Sequence, residues 1–365
     1  MLIKPDAKKI AKIKLVGVGG AGSNALTTLI EHERVEGVEF ISVNTDAQAL
    51  MGNKSESKLQ IGEKVTRGLG AGGNPDVGKQ AAEESRERIK EYLDGADLVF
   101  ITSGMGGGTG TGASPIVADV ARETGALTIA VVTKPFSFEG AKRMAAAETG
   151  IAELAQKVDA LITIPNEKIL EIKERKLSLL QAFREVDSVL TQGVKGLAEI
   201  ITLPGLINVD FADVKTIMQG SGTAIMGIGQ ASGDKRAAMA VRQAISSPFL
   251  ELSIDGAKGV LFNIVGGEDL SMSEVDEAAR LITKSVDPGA QIIFGAAIDS
   301  QMKEEIKITL VATRFANASK TPTGPTAFRM SNEPTAANQA ASSDSITDNE
   351  DELEIPAFLR RRGGS

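Results

Sequence analysis

Six of the nine residues from Gly104 to Gly112, GMGGGTGTG, are glycine, and they stand between a strand-like run, DLVFITS (97–103), and a helix-like one, SPIVADVA (114–121). A linker has no reason to lie between two buried elements, so the backbone here must come close to something. Glycine permits that approach, and the N–H groups that open the next helix point at whatever is approached. Two further loops have the same character. GVGGAGSN (17–24) leaves the strand-like KIKLVGV (12–18), and GLGAGGNP (68–75) leads into the helix-like DVGKQAAEESRERIKEYL (76–93). Together they describe a surround of backbone amides for a polyphosphate.

EFISVN (39–44), LTIAVVT (127–133) and ALITIP (160–165) read as further buried strands, with helical stretches such as SNALTTLIEHER between them. Alternation of this kind gives an α/β fold, a doubly wound parallel sheet with crossover helices. From about Leu177 to Thr202 a stripe of Leu179, Phe183, Val186, Leu190, Val194, Leu197 and Ile201 steps by three or four residues. That spacing predicts one long helix with a continuous apolar face, stopped by Pro204 and Gly205. A smaller α/β block follows, with GVLFNIVGG, QIIFGAAID and KITLVATRF as its strands. The expected organisation is a flexible arm at 1–11, a nucleotide-binding domain at 12–176, a central helix at 177–203 and a second α/β domain at 204–316. A disordered linker at 317–350, rich in Asn, Ala, Ser, Thr and Pro, leads to a short peptide at 351–365.

Composition removes several kinds of chemistry. There is no cysteine, and the one histidine, His32, lies in the charged stretch EHERVEG and reads as a solvated side chain. Thiolate metal sites, a Cys nucleophile and a His-based triad are therefore not expected. A net charge of −8 lacks the basic face that nucleic acid requires. No run approaches the roughly 18 apolar residues of a membrane span, so direct membrane insertion is not expected and a cytoplasmic location is.

The glycine loops hold no acid or base, and no GxxxxGK[ST] places a lysine on a terminal phosphate. Something outside them must orient water for phosphoryl cleavage. NVDFAD (208–213) offers Asp210 and Asp213, spaced i,i+3 on one face of a helix start, with Asn208 beside them. Helix capping by Asn208 and Asp210 is the plainer reading of the same residues, and the two roles are compatible. Gly17, Gly19 and Gly22 also fit the dinucleotide fingerprint, with Asp46 near the expected ribose-binding acid. A nicotinamide-dependent oxidoreductase is thus a competing reading, although such a domain has no need of a second large glycine cradle.

GMGGGTGTG, TKPFSFEGAKR (133–143), ITIPNEK (162–168) and GLINVDFAD (205–213) follow one another as they do in the FtsZ family of tubulin-like GTPases, which the chain resembles over about residues 12–316. ELEIPAFLRR, near the end, is similar to that family's partner-binding peptide. The resemblance implies GTP or GDP as ligand, with Mg²⁺ held through phosphates and water and by no protein ligand set. It implies that phosphates sit on Gly20, Ala21, Gly22, Ser23 and Asn24, facing Gly107, Gly108, Thr109 and Gly110. Glu139 and Arg143 would serve the ribose and phosphate side, with Pro135 shaping the pocket. Asn166 and Asp187 would read the guanine edge and Phe183 would stack on the ring, while also fitting the helix's apolar stripe. Asn208, Asp210 and Asp213 would complete the catalytic site of the next subunit in a head-to-tail homopolymer. Leu353, Ile355, Pro356, Phe358, Leu359 and Arg360 would bind a membrane adaptor such as FtsA or another division regulator. The implied setting is bacterial cell division, beneath the inner membrane at mid-cell. A tubulin-like polymer serving cell shape or plasmid segregation is the alternative within the same chemistry. Ala141, Ser188 and Ile207 depart from the commonest pattern of the family.

Overall fold

The computed structural model describes residues 11–32, 35, 37–172, 178–202, 205–247 and 253–315. The expected partner-binding residues Leu353, Ile355, Pro356, Phe358, Leu359 and Arg360 lie outside the described residues.

Strands and helices alternate from the first described residues: β1 Ile13–Val18, α1 Gly19–His32, β2 Val38–Asn44, α2 Ala47–Gly52, β3 Ser57–Gln60, α3 Glu63–Thr66, α4 Pro75–Glu84, α5 Arg86–Leu93, β4 Leu98–Gly104, α6 Thr109–Glu123, β5 Leu127–Lys134, α7 Ala141–Ala155 and β6 Ala160–Pro165. Then come α8 Asn166–Ile172 and the long α9 Leu179–Thr202, followed by α10 Phe211–Met218, β7 Gly222–Ser232, α11 Arg236–Ile245, β8 Ala257–Gly266, α12 Met272–Lys284, β9 Gln291–Ile298 and β10 Glu305–Phe315. The strands hydrogen-bond in the order β3-β2-β1-β4-β5-β6-β7-β10-β8-β9. β3 to β6 are parallel throughout, as expected of strands buried on both faces; β4 is buried from Leu98 to Ser103. β7 joins β6 in parallel only through Gly222–Ala224, and β10 runs antiparallel to both β7 and β8.

Chain order reverses between β1 and β4, which are neighbours in the sheet. Connections from these two strands diverge to opposite sides, leaving a crevice at their carboxyl ends where doubly wound sheets bind ligands. Both GVGGAGSN and GMGGGTGTG begin at that edge.

Two strands carry no legible pattern. β3 is the short polar SKLQ at a sheet edge, and β7 is interrupted by Gly227 and Gly229. Those glycines are needed because a Cβ would stand 2.0 Å from Ala244 O and 1.9 Å from Ala240 O, so closely does α11 lie on the strand. The single helix expected over 76–93 is broken at Ser85, which has non-helical ψ and whose hydroxyl accepts the Gly62 N–H at 3.0 Å. Arg86 then turns to Asp119 and Glu123 on α6, tying the second half to a different neighbour.

The apolar stripe of α9 is buried at Val186, Leu190, Val194 and Leu197, in the same core as β1, β4 and β5. Its 24 residues reach about 36 Å. Gly193 and Gly196, beside the stripe, face Met226 of β7 and Thr309 of β10, where a Cβ would come within 2.6 and 2.9 Å. One helix thereby packs on the N-terminal sheet and on the strands that follow it.

Candidate functional site

α1 and α6 open onto the same crevice. Neither has an acidic residue in its first turn, and Gly108 supplies α6 with no capping side chain. Gly19, at φ +74°, lies so near α6 that a Cβ would be 2.7 Å from Gly110 N. The unpaired N–H groups of two helix starts therefore converge, with the positive ends of both dipoles, on a cleft of about 510 Å³. That size suits a nucleotide-scale ligand, and the geometry suits its phosphates.

The glycines here fall into two groups. Gly22, Gly104, Gly110 and Gly112 are needed by packing, since a Cβ would press on Thr102 O at 2.4 Å, Ala21 Cβ at 2.6 Å, Ser103 Oγ at 2.5 Å and Pro75 O at 1.9 Å. Gly20 and Gly107 have no atom within 4 Å of that position and no left-handed backbone, yet both line the cleft. Packing does not explain their missing side chains; room for a ligand does. Gly20→Ala, in the first turn of α1 with open space around the added methyl, is accordingly expected to fold with little change in stability, while weakening nucleotide binding at least about tenfold through the intruding methyl. Gly112→Ala is expected to lose folded protein instead. Thermal melts and nucleotide titrations of the two variants check this.

Of the residues expected to hold phosphates, Gly20, Ala21, Asn24, Gly107, Gly108, Thr109 and Gly110 line the cleft. Gly22 and Ser23 do not. The Ser23 hydroxyl is buried against Ser42 Oγ at 2.7 Å, and Gly22 is the contact that seats α1 on β4. Thr109 shares a buried 2.6 Å hydrogen bond with Thr45, whose carbonyl accepts the Thr66 hydroxyl at 3.3 Å. This ties the start of α6 to the third glycine loop, which contributes Ala71 and Gly73 to the lining. Gly104 and Met105 of GMGGGTGTG, Thr133 near the end of β5 and Val186 on the stripe of α9 also line the cleft, none of them singled out by the sequence as a ligand contact.

At the other end stand Asn166, Phe183 and Asp187, with Pro135, Glu139 and Arg143 on the rim. Asn166 begins α8, is 5% exposed, and its Oδ1 has no hydrogen-bond partner. A buried acceptor left unpaired marks a place where a donor belongs. Phe183 is 40% exposed and makes an edge-on contact with Phe136, centroids 5.5 Å apart, while Phe136 stacks on Phe138 at 5.0 Å. Phe183 thus keeps a free ring face with its orientation set from behind. Asp187, one turn further along α9, is pushed up to about 6 by burial. An aromatic face, a carboxylate and a free amide oxygen suit a purine that presents two adjacent N–H donors, as guanine does and adenine does not. Glu139 accepts the Phe136 N–H at 2.9 Å and pairs with Arg143.

The NVDFAD residues are elsewhere. Asp210 is the N-cap of α10, its Oδ1 accepting the Asp213 N–H at 2.8 Å while Asp213 Oδ2 accepts the Asp210 N–H at 3.2 Å. This reciprocal capping box fixes both carboxylates at the surface. Asn208 Oδ1 accepts the Gly205 N–H at 2.7 Å. None of the three lines the cleft of its own chain. Asp46 does not line it either: it caps α2 by accepting the Ala49 N–H at 3.0 Å, which removes the ribose-binding acid that the oxidoreductase reading needs. Among the described residues no cluster of three His, Cys, Asp or Glu side chains is placed to hold a metal, and no helix is long and apolar enough to cross a membrane.

Residues 12–174 match the GTPase domain of the Tubulin/FtsZ family, and residues 222–316 match the C-terminal domain of the FtsZ family. Among solved structures, an empty FtsZ dimer from M. jannaschii is 46% identical, covers 87% of this chain and 95% of its own, and superposes with a TM-score of 0.80. A point mutant of M. jannaschii FtsZ is 50% identical over 83% of this chain and 91% of its own, also at 0.80. CetZ2 from Haloferax volcanii, a GTPγS-bound protofilament, shares the fold at 21% identity over 82% of this chain and 92% of its own, with a TM-score of 0.70.

Proposed function

The chain belongs to the tubulin/FtsZ family of GTPases, and we propose that it hydrolyses GTP only where a second copy docks its 205–213 segment over the nucleotide. The observation that carries this reading is the division of labour within one chain. The cleft has two uncapped helix starts and a polar pocket whose two carboxylates, Glu139 and Asp187, stand away from the helix starts, whereas Asp210 and the half-buried Asp213 are pre-set outside it.

In this reading, backbone amides of Gly20, Ala21, Gly107, Gly108 and Gly110 donate to the phosphates, with the Thr109 hydroxyl beside them. Asp187 accepts from the guanine N1–H and N2–H₂, Asn166 adds its amide, and Phe183 stacks on the ring. Glu139 and Arg143 flank the ribose. Asp210 and Asp213 of the neighbour orient the attacking water, and the capping box limits how far either can move. Mg²⁺, which neutralises developing charge in phosphoryl transfer, would be held by phosphates and water, the cleft offering it no carboxylate cluster. An interface between unlike faces, one carrying the cleft and one carrying NVDFAD, adds subunits head to tail and builds a filament where the rotation between them does not close a ring. The FtsZ dimer and the CetZ2 protofilament are consistent with assembly in the family.

The proposed role is a division filament that reaches the membrane through an adaptor such as FtsA, captured by residues 351–365. Deleting those residues is expected to abolish adaptor binding and leave GTP turnover unchanged. The experiment that tests the function itself is phosphate release and sedimentation with GTP and Mg²⁺ over a range of protein concentrations. Turnover per subunit should fall away below the concentration at which protein ceases to pellet. Turnover independent of concentration would contradict it.

A further inference from the structure

α10 bears Asp210 and Asp213 at one end, and the strands around it hold the segment at both ends. Ahead of the helix, Ile207 and Ala296 of β9 exchange backbone hydrogen bonds of 3.1 and 3.0 Å. Gly205 lies so close to the same strand that a Cβ would be 2.5 Å from Ala296 O. Behind the helix, Thr313 Oγ1 donates to Ile217 O at 3.3 Å, and the Arg314 guanidinium donates to Thr216 O.

Arg314 holds a left-handed backbone, φ +59°, a conformation that a side-chain-bearing residue adopts only when its surroundings compel it. The ladder between β10 and β8 pairs Thr313 with Gly259 and Phe315 with Ala257, so Arg314 falls at an irregularity in the strand. That irregularity turns its side chain onto the last turn of α10, where carbonyls without a helical partner carry the negative end of the dipole. Strain of this kind persists where it places something.

We propose that Arg314 is a positioning residue for GTP hydrolysis: by tying the C-terminal end of α10 to β10, it sets where Asp210 and Asp213 stand over a neighbour's nucleotide. The inference rests on the shared-site reading given above. The 8-residue helix spans about 12 Å and moves as a unit, so a shift at Thr216 arrives at Asp213. Misplacing a catalytic group by about 1 Å costs up to about 10²-fold in rate.

Arg314→Gly isolates the effect, because glycine takes the left-handed conformation without strain and the fold is kept. The expected result is a kcat lowered about tenfold with unchanged KM, GTP affinity, pelleted fraction and melting temperature. Arg314→Lys, whose ammonium still reaches a carbonyl, is expected to recover most of the rate. A wild-type kcat in Arg314→Gly, a loss of assembly in place of rate, or Arg314→Lys as slow as Arg314→Gly would each overturn the inference. Asp213→Asn is measured alongside. If it turns over normally, the shared-site reading has failed and this inference with it; if it is inactive while Arg314→Gly is not, only the role of Arg314 has failed.

Discussion

Asp213→Asn is expected to bind GTP and pellet as the wild type does, while releasing phosphate about 10²- to 10⁴-fold more slowly, the range lost with a positioned acid–base group. Asparagine still offers an acceptor to the Asp210 N–H, so the reciprocal cap of α10 is retained and only the negative charge is lost. Asp213→Ala removes both. It should show the same slow chemistry with an added destabilisation of about 1 kcal/mol at the helix start. If the carboxylate served only as a cap, Asp213→Asn would be active and Asp213→Ala partly so. Comparing the two substitutions thus separates capping from chemistry, which the static geometry holds together in one pair of side chains.

Asp187→Asn is expected to act in opposite directions on stability and on binding. The carboxylate would accept two hydrogen bonds from guanine, each charge-assisted and worth about 1.5–3 kcal/mol, so GTP affinity should fall by about 10²- to 10⁴-fold. Without nucleotide, the same substitution should raise the melting temperature at pH 7.5. Burial has pushed the carboxyl up to about 6, so the ionised form strains the ligand-free fold. The sign follows from linkage. A carboxyl whose folded pKa is raised stabilises the fold while protonated, and this contribution is lost as pH rises from about 4 through about 6. Guanine binding needs the ionised form and therefore changes the other way. Below about pH 6, GDP affinity should fall about tenfold per pH unit while the ligand-free protein becomes more stable. Both slopes should vanish in Asp187→Asn, as titration calorimetry and thermal melts between pH 5 and pH 7.5 would record.

Much of this arrangement is legible in the residues because backbone physics leaves few choices. A glycine cluster between a buried strand and an apolar helix has to be a close approach, and β4 and α6 flank it as the pattern expects, although α6 begins at Thr109 and takes the second half of the cluster into its first turn. The stripe of α9 is likewise direct from Val186 to Leu197, where apolar positions at helical spacing admit one face, whereas Leu179 and Phe183 at its start stay exposed. What escapes is decided by neighbours distant in the chain. β7 reads as no strand because Gly227 and Gly229 answer to α11 packed against them. The break at Ser85 answers to Gly62 and to α6.

Within the cleft, a motif read letter by letter makes consecutive residues equivalent, but a helix does not. Gly20, Ala21 and Asn24 face the cleft, while Ser23 points to β2 and Gly22 to β4. Asp46 shows the same limit in reverse, since a suitable spacing placed an acid that the fold uses as a cap. Arg314 has no sequence signal at all. Its left-handed conformation and its carbonyl partner on α10 exist only once β8, β10 and α10 are assembled.

The central claim is that one chain supplies the nucleotide and another supplies the carboxylates, and mixing two defective variants tests it most directly. Asp213→Asn holds GTP but offers its neighbour no charge; Asp187→Asn binds GTP poorly but presents an intact Asp213. Each alone should release little phosphate. Their mixture should turn over GTP well above the sum of the two, because an Asp187→Asn subunit can dock its Asp213 onto a GTP-loaded Asp213→Asn subunit. A mixture no more active than that sum, under conditions where the two co-sediment, would contradict the account.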